Sequence, residues 1–547
     1  MAYRDGDAWV FRGWTGGEYG DLDAVVAGRN PRQMFSALNM VLYTSGLIGP
    51  RAGLVDAGLA SAPSLSAGDI EGMGTVAVGE TTGRGPWFWL AANGYFYQAQ
   101  LGTGTSPTTP AFSGAYTGTP SPLTSVTRPI PQGGSFGAGD ILNVYEKGVY
   151  ELAHGSTKTI DTVHSSTDYG GGSVIGFADT RFVLNGSDGA KATGDSRLYY
   201  SNVFPGWDAF GSTEYYDFGA IEVTMIRPFR DGFIVGNNAG EFWYATGVIG
   251  TSLTIRRLSR GGAPAFESRG TILKGNQAVY MDPNVSYPST FDGAVHDPLK
   301  HLAFTGDTAA DDDGTSPGFR VMPMPWGGAD DYAILSGQTG SGAANRALMF
   351  HNGVHTFHEF EQTTSAHAVC LGEAAATNSN DSPYYAIASD DGADDYWLWA
   401  PAPPGLDTRP GFTSDSLNGP GDNSSSCFST CYLHTPIELV PEGGRVRIVK
   451  VIVDYIGWDT GATDSVVAFD LTVDAVLRYD GDSGSSSSTL SFSSADSNFA
   501  TTGTRKRAEF SVGDQGAGGG FQVKLDNIKA CAIEQIIVVP EREPNRP

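Results

Sequence analysis

A turn containing glycine or asparagine, followed by a short aromatic strand, recurs between about residues 65 and 400, and this repetition constrains the fold most. Most steps between copies are about 36 to 54 residues, with a longer step around the Asp-rich stretch DTAADDDGTSPG. A period of this length with several strands per repeat is typical of a β-propeller. The pattern therefore predicts a propeller without the WD or kelch signature. The copies are ANGYFYQAQ (92–100), EKGVYELA (146–153), DSRLYYSN (195–202), NAGEFWYATG (238–247), KGNQAVYMD (274–282), HNGVHTFHEF (351–360) and DDGADDYWLWA (390–400).

The composition agrees with an all-β fold. The 547 residues include 74 glycines and 30 prolines, only 17% are charged, and 11% are aromatic. Glycine and proline favour turns, and aromatic side chains suit the half-buried surface of a pleated sheet. The glycines show no three-residue period, which excludes a collagen-like chain.

One short helix is predicted near the N-terminus. In GRNPRQMFSALNM, Asn30 is a candidate N-cap, Pro31 suits the first helical position, and Met34, Phe35 and Leu38 supply apolar side chains. The following MVLYTSGLIGPRAGL predicts a strand, a turn at Ser45-Gly46 and an extended segment.

The C-terminal part predicts an antiparallel β-sandwich, because several segments alternate apolar and polar residues at short spacing. These segments are 445–456, 466–479, 505–512, 520–528 and 532–539, and a Ser-rich loop, GDSGSSSS (481–488), separates two of them. The predicted organisation is an N-terminal segment (1–64) with the short helix and extended strands, a propeller (65–401), a linker (402–426) and a separate sandwich (427–547). Within the propeller, residues 102–134 are rich in Thr, Ser, Pro and Gly and predict an extended loop insertion.

The charge and the N-terminal sequence limit the possible partners. A formal net charge of -26 predicts no general nucleic-acid-binding surface, although an acidic surface could repel DNA that passes nearby. We expect no secretory signal in MAYRDGDAWVFRGW and no membrane insertion, because no apolar run approaches the length of a membrane helix. The four cysteines (Cys370, Cys427, Cys431, Cys531) are too scattered for a disulfide framework. Cys427 and Cys431 could pair, but free thiols are expected in a chain made in a cytoplasm.

The stretch HNGVHTFHEF contains His351, His355, His358 and Glu359 and has the composition of a metal site. However, Asn352-Gly353 is a strong signal for a two-residue hairpin turn. That turn places His351 opposite Val354, Phe350 opposite His355 and Ala347 opposite His358. Because strand side chains alternate between faces, His351 and His358 share one face and His355 lies on the other. We therefore predict a structural hairpin and no metal site.

Other chemical motifs also lack their required context. GGSFG (133–137) matches a nucleophile elbow but has a Pro-rich loop before it and a strand after it. GDSG (481–484) lies in a Ser-rich loop without a matching His and Asp, and DDDG (311–314) fails the spacing of an EF-hand, although it could hold a weakly bound cation. No P-loop, Rossmann fingerprint or good sialidase-type box is present. The sequence predicts no catalytic residue, cofactor or metal, and hence no enzyme.

Three stretches resemble a known family. They are LNMVLYTSGLIGPRAGL (38–54), RLYYSNVFPGWDAFGSTEYYDFG (197–219) followed by IRPFRDGFIVGNNAGEFWYATG (226–247), and RKRAEFSVGDQGAGGGFQVKLDNIKACAIEQIIVV (505–539). They resemble the tail nozzle, or tail-hub, proteins of short-tailed bacteriophages, also called packaged-DNA-stabilising proteins. The likeness covers about half of the chain and is one of pattern.

The resemblance implies a β-propeller protein that assembles as a homo-hexameric ring in the virion tail, below the portal and its adaptor. Such a ring continues the DNA channel, contacts tail fibre proteins and helps retain the packaged genome until ejection. DNA would pass without sequence-specific binding, and assembly would occur in the host cytoplasm.

Two alternatives remain from the sequence. One is a carbohydrate-binding or hydrolysing propeller, such as a receptor-binding phage tail protein, in which exposed tryptophans stack on sugars. The other is a bacterial extracellular lectin-like propeller, which the absence of a recognisable signal peptide disfavours. The candidate tryptophans are Trp87, Trp89, Trp207, Trp243, Trp397 and Trp399.

Overall fold

A computed structural model gives the fold of the chain. It describes residues 3–5, 8–14, 34, 36–43, 46–50, 54–56, 70–76, 87–92, 95–100, 112–115, 130–131, 141–145, 148–152, 160–165, 175–178, 181–186, 196–203, 210–218, 221–260, 262–264, 270–273, 276–281, 287–302, 319–323, 331–336, 345–351, 353–360, 372–374, 384–388, 396–399, 431–439, 446–458, 466–476, 486–495, 498–500, 503–512 and 519–542. Within these ranges the regular structure is β-strand, apart from 3₁₀ conformation at Lys300–Leu302 and at Asn498. The all-β prediction is confirmed.

The N-terminal part contributes six short strands. They are β1 (Tyr3–Asp5), β2 (Ala8–Arg12), β3 (Ser36–Leu38), β4 (Met40–Leu42), β5 (Ile48–Pro50) and β6 (Leu54–Asp56). β4 and β5 form a hairpin in which Leu42 pairs with Ile48, and Gly46 in the connecting turn has a φ of 79°, which glycine adopts easily. The predicted strand is confirmed and Gly46 lies between the two strands, whereas Ser45 of the predicted turn lies outside the described residues.

Seven four-stranded antiparallel groups occur among the described residues, and they form the blades of a β-propeller. Blades 1 to 3 are β7 (Ile70–Val76), β8 (Trp87–Ala92), β9 (Tyr95–Gln100) and β10 (Phe112–Ala115); β11 (Ile130–Pro131), β12 (Ile141–Tyr145), β13 (Gly148–Leu152) and β14 (Ile160–Ser165); and β15 (Ile175–Ala178), β16 (Arg181–Gly186), β17 (Arg197–Ser201) and β18 (Phe210–Asp217).

Blades 4 to 7 continue in chain order. Blades 4 and 5 are β19 (Val223–Phe229), β20 (Gly232–Asn237), β21 (Phe242–Thr246) and β22 (Thr254–Arg257); and β23 (Gly270–Leu273), β24 (Gln277–Met281), β25 (Pro288–Phe291) and β26 (His296–Pro298). Blade 6 is β27 (Phe319–Pro323), β28 (Tyr332–Ser336), β29 (Asn345–His351) and β30 (Val354–Phe360). Blade 7 is β31 (Gly372–Ala374), β32 (Tyr384–Ala388) and β33 (Tyr396–Trp399), with β6 as its fourth strand.

The ring closes in two ways. β6 pairs antiparallel with β33, so an N-terminal strand completes the last blade. In addition, β31 of blade 7 contacts β7 of blade 1, just as the first strands of blades 3 to 6 contact one another in sequence. These contacts place the first strand of each blade toward the centre of the propeller.

The sandwich is formed by both ends of the chain. Its C-terminal strands are β34 (Tyr432–His434), β35 (Glu438–Leu439), β36 (Val446–Gly457), β37 (Val466–Val476), β38 (Ser486–Ala495), β39 (Thr504–Ser511), β40 (Gly520–Lys529) and β41 (Cys531–Arg542). One sheet has the order β1-β2-β41-β36-β39, with β5 beside β41 and β4 beside β5. The other contains β3-β34-β40-β37-β38 and continues from blade 6, because β3 pairs with β30.

The core lies between the two sandwich sheets. Alternate residues of β36 and β37, including Val451, Val453, Phe469 and Leu471, point inward and are buried together with aromatic rings from β2 and β40. Burying each such side chain contributes about 1.5–3 kcal/mol. Val354, at the start of β30 in blade 6, also belongs to this core, which therefore extends to the propeller.

The predicted helix near residues 30–38 is wrong where the structure describes it. Residues 36–38 form β3, and Ala37 and Leu38 pair with Leu433 and Tyr432 of β34. The apolar side chains that suggested a helical stripe are recruited by two neighbouring strands, and pairing over this distance overrides local propensity. Residues 30–33 and Phe35 lie outside the described residues.

Two other predictions require correction. The predicted loop insertion at 102–134 contains β10 and β11, and β11 is an edge strand, in which Pro131 is tolerated. Residues 486–488 of the predicted Ser-rich loop belong to β38, which packs Leu490 and Phe492 against the core. The strands of the N-terminal segment, residues 1–64, are divided between the sandwich and blade 7. Residues 402–426 lie outside the described residues.

Each of the seven aromatic segments contributes a strand to a different blade. The strands are β9, β13, β17, β21, β24, β30 and β33, and five of them are third strands of their blades. The predicted β-propeller with an additional sandwich is confirmed.

Candidate functional site

The histidine hairpin has the predicted register. His351 pairs with Val354, Phe350 with His355 and Ala347 with His358. Gly353 in the turn has a φ of 81°, the left-handed conformation that the two-residue turn requires. The alternation of strand side chains then separates His355 from the other two histidines.

Each of these histidines has a different hydrogen-bond partner. His351 Nδ1 lies 2.7 Å from Asp331 Oδ2, and both side chains are buried. His358 Nε2 lies 3.0 Å from the Thr356 hydroxyl. These contacts give the histidines roles in packing and hydrogen bonding within blade 6. Among the described residues, no group of three His, Cys, Asp or Glu side chains could hold a metal ion.

The third histidine packs on the opposite face. His355 Nε2 lies 2.6 Å from the Tyr332 hydroxyl, and its ring centroid is 4.5 Å from that of Phe350. Desolvation by these neighbours, together with the nearby His301, lowers the pKa of His355 to about 3. The imidazole is therefore neutral near pH 7, although part of its surface is exposed.

The junction between propeller and sandwich depends on the segment that follows β3. The Asn39 amide donates to the Phe357 carbonyl of blade 6 at 2.9 Å. The Cys431 thiol donates to the Asn39 carbonyl at 3.7 Å. Asn39 is buried and has a φ of 56°, so the chain turns from one β-sheet to the other at this residue.

Three exposed valines occupy equivalent turns of consecutive blades. Val203, Val248 and Val295 follow the third strands of blades 3, 4 and 5, and they are 48%, 51% and 61% exposed. In a four-stranded antiparallel meander, the first and third turns lie at one end of the blade. The valines therefore lie at the same end of the propeller.

Contacts between blades support this placement. The Arg230 guanidinium, in the first turn of blade 4, donates to the Asp292 carbonyl in the third turn of blade 5. The Gly250 amide, in the third turn of blade 4, donates to the Tyr216 hydroxyl of blade 3 at 3.2 Å. The turns of these three blades thus form one continuous surface.

Two exposed arginines lie among the valines. Arg230 has a φ of 53°, which is unusual for a residue other than glycine and holds its side chain at the tip of the β19–β20 turn. Arg256 lies over the Tyr244 ring at 5.4 Å. The Tyr244 hydroxyl donates to Asp231, and this bond, with the charges of both arginines, lowers the pKa of the Asp231 carboxyl. We call Val203, Arg230, Val248, Arg256 and Val295 the tip surface.

Blade 4 differs in charge from the chain as a whole. Residues 222–262 contain five arginines and three acidic residues, whereas the chain carries -26. Arg257, on the opposite face of β22 from Arg256, forms an ion pair with Glu241 at 2.9 Å, whereas the charges of Arg230 and Arg256 lie beside that of Asp231 at the turn end. Blade 4 is therefore an electropositive part of an acidic protein.

The other candidate residues from the sequence are not assembled into a site. The stretches 133–137, 311–314 and 481–484, together with Cys370, Cys427 and Trp207, lie outside the described residues. Cys431 and Cys531 are buried, and burial raises the pKa of Cys531. Trp243 packs edge-on against Phe218 and lies under Arg257, so one face of its indole is covered. Trp87 and Trp89 lie in β8, and Trp397 and Trp399 lie in β33. The side chains of these two strands lie outside the described part of the chain.

The tip surface was not recognised in the sequence. Its valines and arginines are separated by up to about 90 residues and follow no motif, and only the equivalence of the blade turns brings them together. The useful signal would have been an apolar residue in each turn after an aromatic third strand.

In the described part of the chain, no helix is long and apolar enough to span a membrane.

Comparisons with known proteins give no family. No family model matches the chain, and no curated protein matches it. Among solved structures, the computationally designed Ika8 protein shares 12% identity with a TM-score of 0.37, covering 64% of this chain and 99% of that chain. A chain from the BBS1N complex with ARL6DN shares 10% identity with a TM-score of 0.40, covering 64% and 97%. A chain from the S. cerevisiae Dbp5 complex with Nup159 and Gle1 shares 12% identity with a TM-score of 0.35, covering 62% and 97%. Likenesses this weak carry no argument about function.

Proposed function

We propose that the protein is a structural component of a virion, the tail nozzle or tail hub of a short-tailed bacteriophage. In this role it forms a homo-hexameric ring below the portal and adaptor and contacts the tail fibre proteins. The ring continues the DNA channel and helps retain the packaged genome until ejection. The protein has no catalytic role and is assembled into the tail in the host cytoplasm.

The resemblance of the three sequence stretches carries this proposal. Residues 38–54 contribute to the junction and to the strand that closes blade 7, residues 197–219 and 226–247 lie in blades 3 and 4, and residues 505–539 span β39 to β41. The resemblance therefore extends over both parts of the fold and is not confined to one common motif.

Two further observations agree with the role. The net charge of -26 suits a channel wall, because like charges repel DNA at short range and prevent adhesion. The continuous sheet through β30 and β3 couples the propeller to the sandwich, which suits a part that must keep its shape in a loaded particle.

Electron microscopy of the purified protein and of the intact phage tests the proposal. We expect six-fold rings with a central opening from the purified protein, and antibody labelling of the tail just below the head. Monomers that bind glycans on an array would contradict the proposal and favour the receptor-binding alternative. Labelling confined to the tail fibre tips would also contradict it.

A further inference from the structure

The tip surface has the composition of a protein interface. Exposed valines occur singly on most proteins, but here they project from equivalent turns of three adjacent blades. The arginines between them can form both hydrogen bonds and ion pairs, and arginine beside apolar side chains is enriched at interfaces. This arrangement favours a protein partner with an acidic surface.

A complementary surface exists on the sandwich of the same chain. Asp470 of β37 lies directly opposite Asp526 of β40, and like charges in opposed positions destabilise a sheet. Both carboxylates lie on the outer face, because Phe469, Leu471 and Leu525 beside them point into the core. We call Asp470 and Asp526 the acidic pair.

The partners of the acidic pair are an amide and an imidazole. Asn527, which is neutral, donates to Asp470 at 2.6 Å. His434 lies 2.9 Å from Asp526 and stacks on Tyr432. By contrast, Asp474, on the same face four residues along β37, is bonded to Lys524 at 2.7 Å.

The positions of the two surfaces suit contact between copies. The sandwich is attached to blade 6 through β3, whereas the tip surface spans the turns of blades 3 to 5. Two different surfaces at separated positions form a head-to-tail contact, and repeated head-to-tail contacts generate closed rings when the rotation allows closure. Because each copy carries -26, attraction between copies requires a local positive surface such as blade 4.

We propose that the tip surface of one copy docks on the outer sandwich face of the next copy, with Arg230 and Arg256 facing the acidic pair. The valine tips exclude water around the arginines, which strengthens the charge contact. This inference rests on the ring of the proposed function and identifies the contact that forms it.

Charge reversal in two separate variants tests the pairing. The tip variant is Arg230→Glu with Arg256→Glu, and the face variant is Asp470→Lys with Asp526→Lys. Each variant alone places like charges at every contact, so we expect at least a tenfold loss of rings by mass photometry and electron microscopy. An equimolar mixture restores opposite charges at every contact if the two variants alternate, and a six-membered ring allows that alternation. We therefore expect rings containing both variants from the mixture.

A matched control changes the same amount of charge elsewhere. Lys450→Glu with Arg505→Glu alters the outer face of the other sandwich sheet, where these residues pair with Glu509 and Glu534. We expect rings from this control, and near-native circular dichroism and melting for all three variants.

The outcomes separate the inference from the proposed function. If the unmodified protein forms rings and both reversal variants also form them, the contact is wrong and the nozzle role stands. If the variants fold and remain monomeric but the mixture forms no rings, the pairing is wrong. If the unmodified protein never forms rings, both this contact and the ring of the proposed function are overturned.

Discussion

The Tyr332 hydroxyl lies 2.6 Å from Nε2 of His355, and this bond joins the second strand of blade 6 to its fourth. The His355 imidazole also packs against Phe350, on the face that blade 6 turns toward blade 5. A histidine that looked like a ligand in the sequence is thus a polar group in an aromatic interface between blades.

This environment makes the stability of the propeller depend on pH. The folded pKa of His355 is about 3, below the ordinary value of about 6.5, so the folded state favours the neutral ring. The stabilisation is complete above pH 6.5 and is lost as the pH falls from there toward 3. We expect this group to lower the folding equilibrium constant by up to tenfold per pH unit over that range.

The His355→Phe variant checks that expectation by urea unfolding at pH 7, 6, 5 and 4. Phenylalanine keeps the ring contact with Phe350 and cannot be protonated, so the urea midpoint should fall less between pH 7 and pH 4. Equal slopes for the variant and the unmodified protein would show that His355 is not the titrating group.

The Asp454 carboxylate should make the sandwich acid-sensitive. Arg507 donates two hydrogen bonds to it, at 2.6 and 2.9 Å, and Gln535 donates a third at 2.6 Å. The Arg507 bonds are the main reason that the pKa of Asp454 is lowered. A lowered folded pKa stabilises the protein above the ordinary Asp value of about 3.9, and this stabilisation is lost as the pH falls through the folded pKa.

Melting curves between pH 2 and pH 7 test this prediction with Asp454→Asn. The variant should melt lower at pH 7, because it loses the charge contact, and should show a smaller decrease in melting temperature below pH 4. Glu541→Gln, at an exposed position near the end of β41, is the control and should follow the unmodified protein. A full acid response in Asp454→Asn would exclude the proposed cause.

Close packing inside blade 4 predicts a strong effect at one glycine. A Cβ added at Gly232 would lie 2.0 Å from the Ala245 carbonyl oxygen, which belongs to the backbone and cannot move freely. We expect Gly232→Ala to lower the free energy of unfolding by about 3 kcal/mol. Gly236→Ala on the same strand is the matched control, because its Cβ would lie 3.2 Å from the Met225 Cβ, and it should cost under about 1.5 kcal/mol. Denaturant unfolding of both variants checks the order, and equal costs would contradict it.

The sequence predicted the parts of the fold that depend on local signals. The turn at Gly353 sets the hairpin register through its φ, and the seven aromatic segments mark one strand per blade. Alternation predicted β36 and β37 because one face of each is buried. These signals lie within about ten residues of the structure they determine.

Long-range pairing could not be predicted in the same way. Ser36 bonds to the Tyr432 hydroxyl although 396 residues separate them, and β6 closes a blade whose other strands begin at Gly372. No local pattern indicates such partners, so the sequence predicts a helix where β3 forms. The tip surface could not be predicted for the same reason, since only the propeller places Val203 and Val295 at the same end of the molecule.

The buried thiols should resist modification in the folded protein. Cys431 lies in the junction against the Asn39 carbonyl, and burial raises the pKa of Cys531, which favours the unreactive thiol over the thiolate. We expect iodoacetamide at pH 8 to label both only in denaturant, as measured by peptide mass spectrometry. Rapid labelling of Cys531 in native buffer would contradict its burial in the sandwich core.

The valines of the tip surface should strengthen ring assembly without affecting the fold. Val203→Thr, Val248→Thr and Val295→Thr keep the shape of each side chain and replace one methyl group by a hydroxyl. Because the valines are exposed in one copy, the triple variant should melt like the unmodified protein. If the contact buries them, the lost apolar burial should raise the protein concentration needed for ring assembly by roughly tenfold or more.

Mass photometry over a dilution series measures that concentration. Ala239→Ser with Ala500→Ser, at exposed positions outside the tip surface, is the control and should assemble at the original concentration. An unchanged assembly concentration in the triple valine variant would mean that the valines stay in water within the ring. The contact between copies would then have to involve a different surface of the propeller.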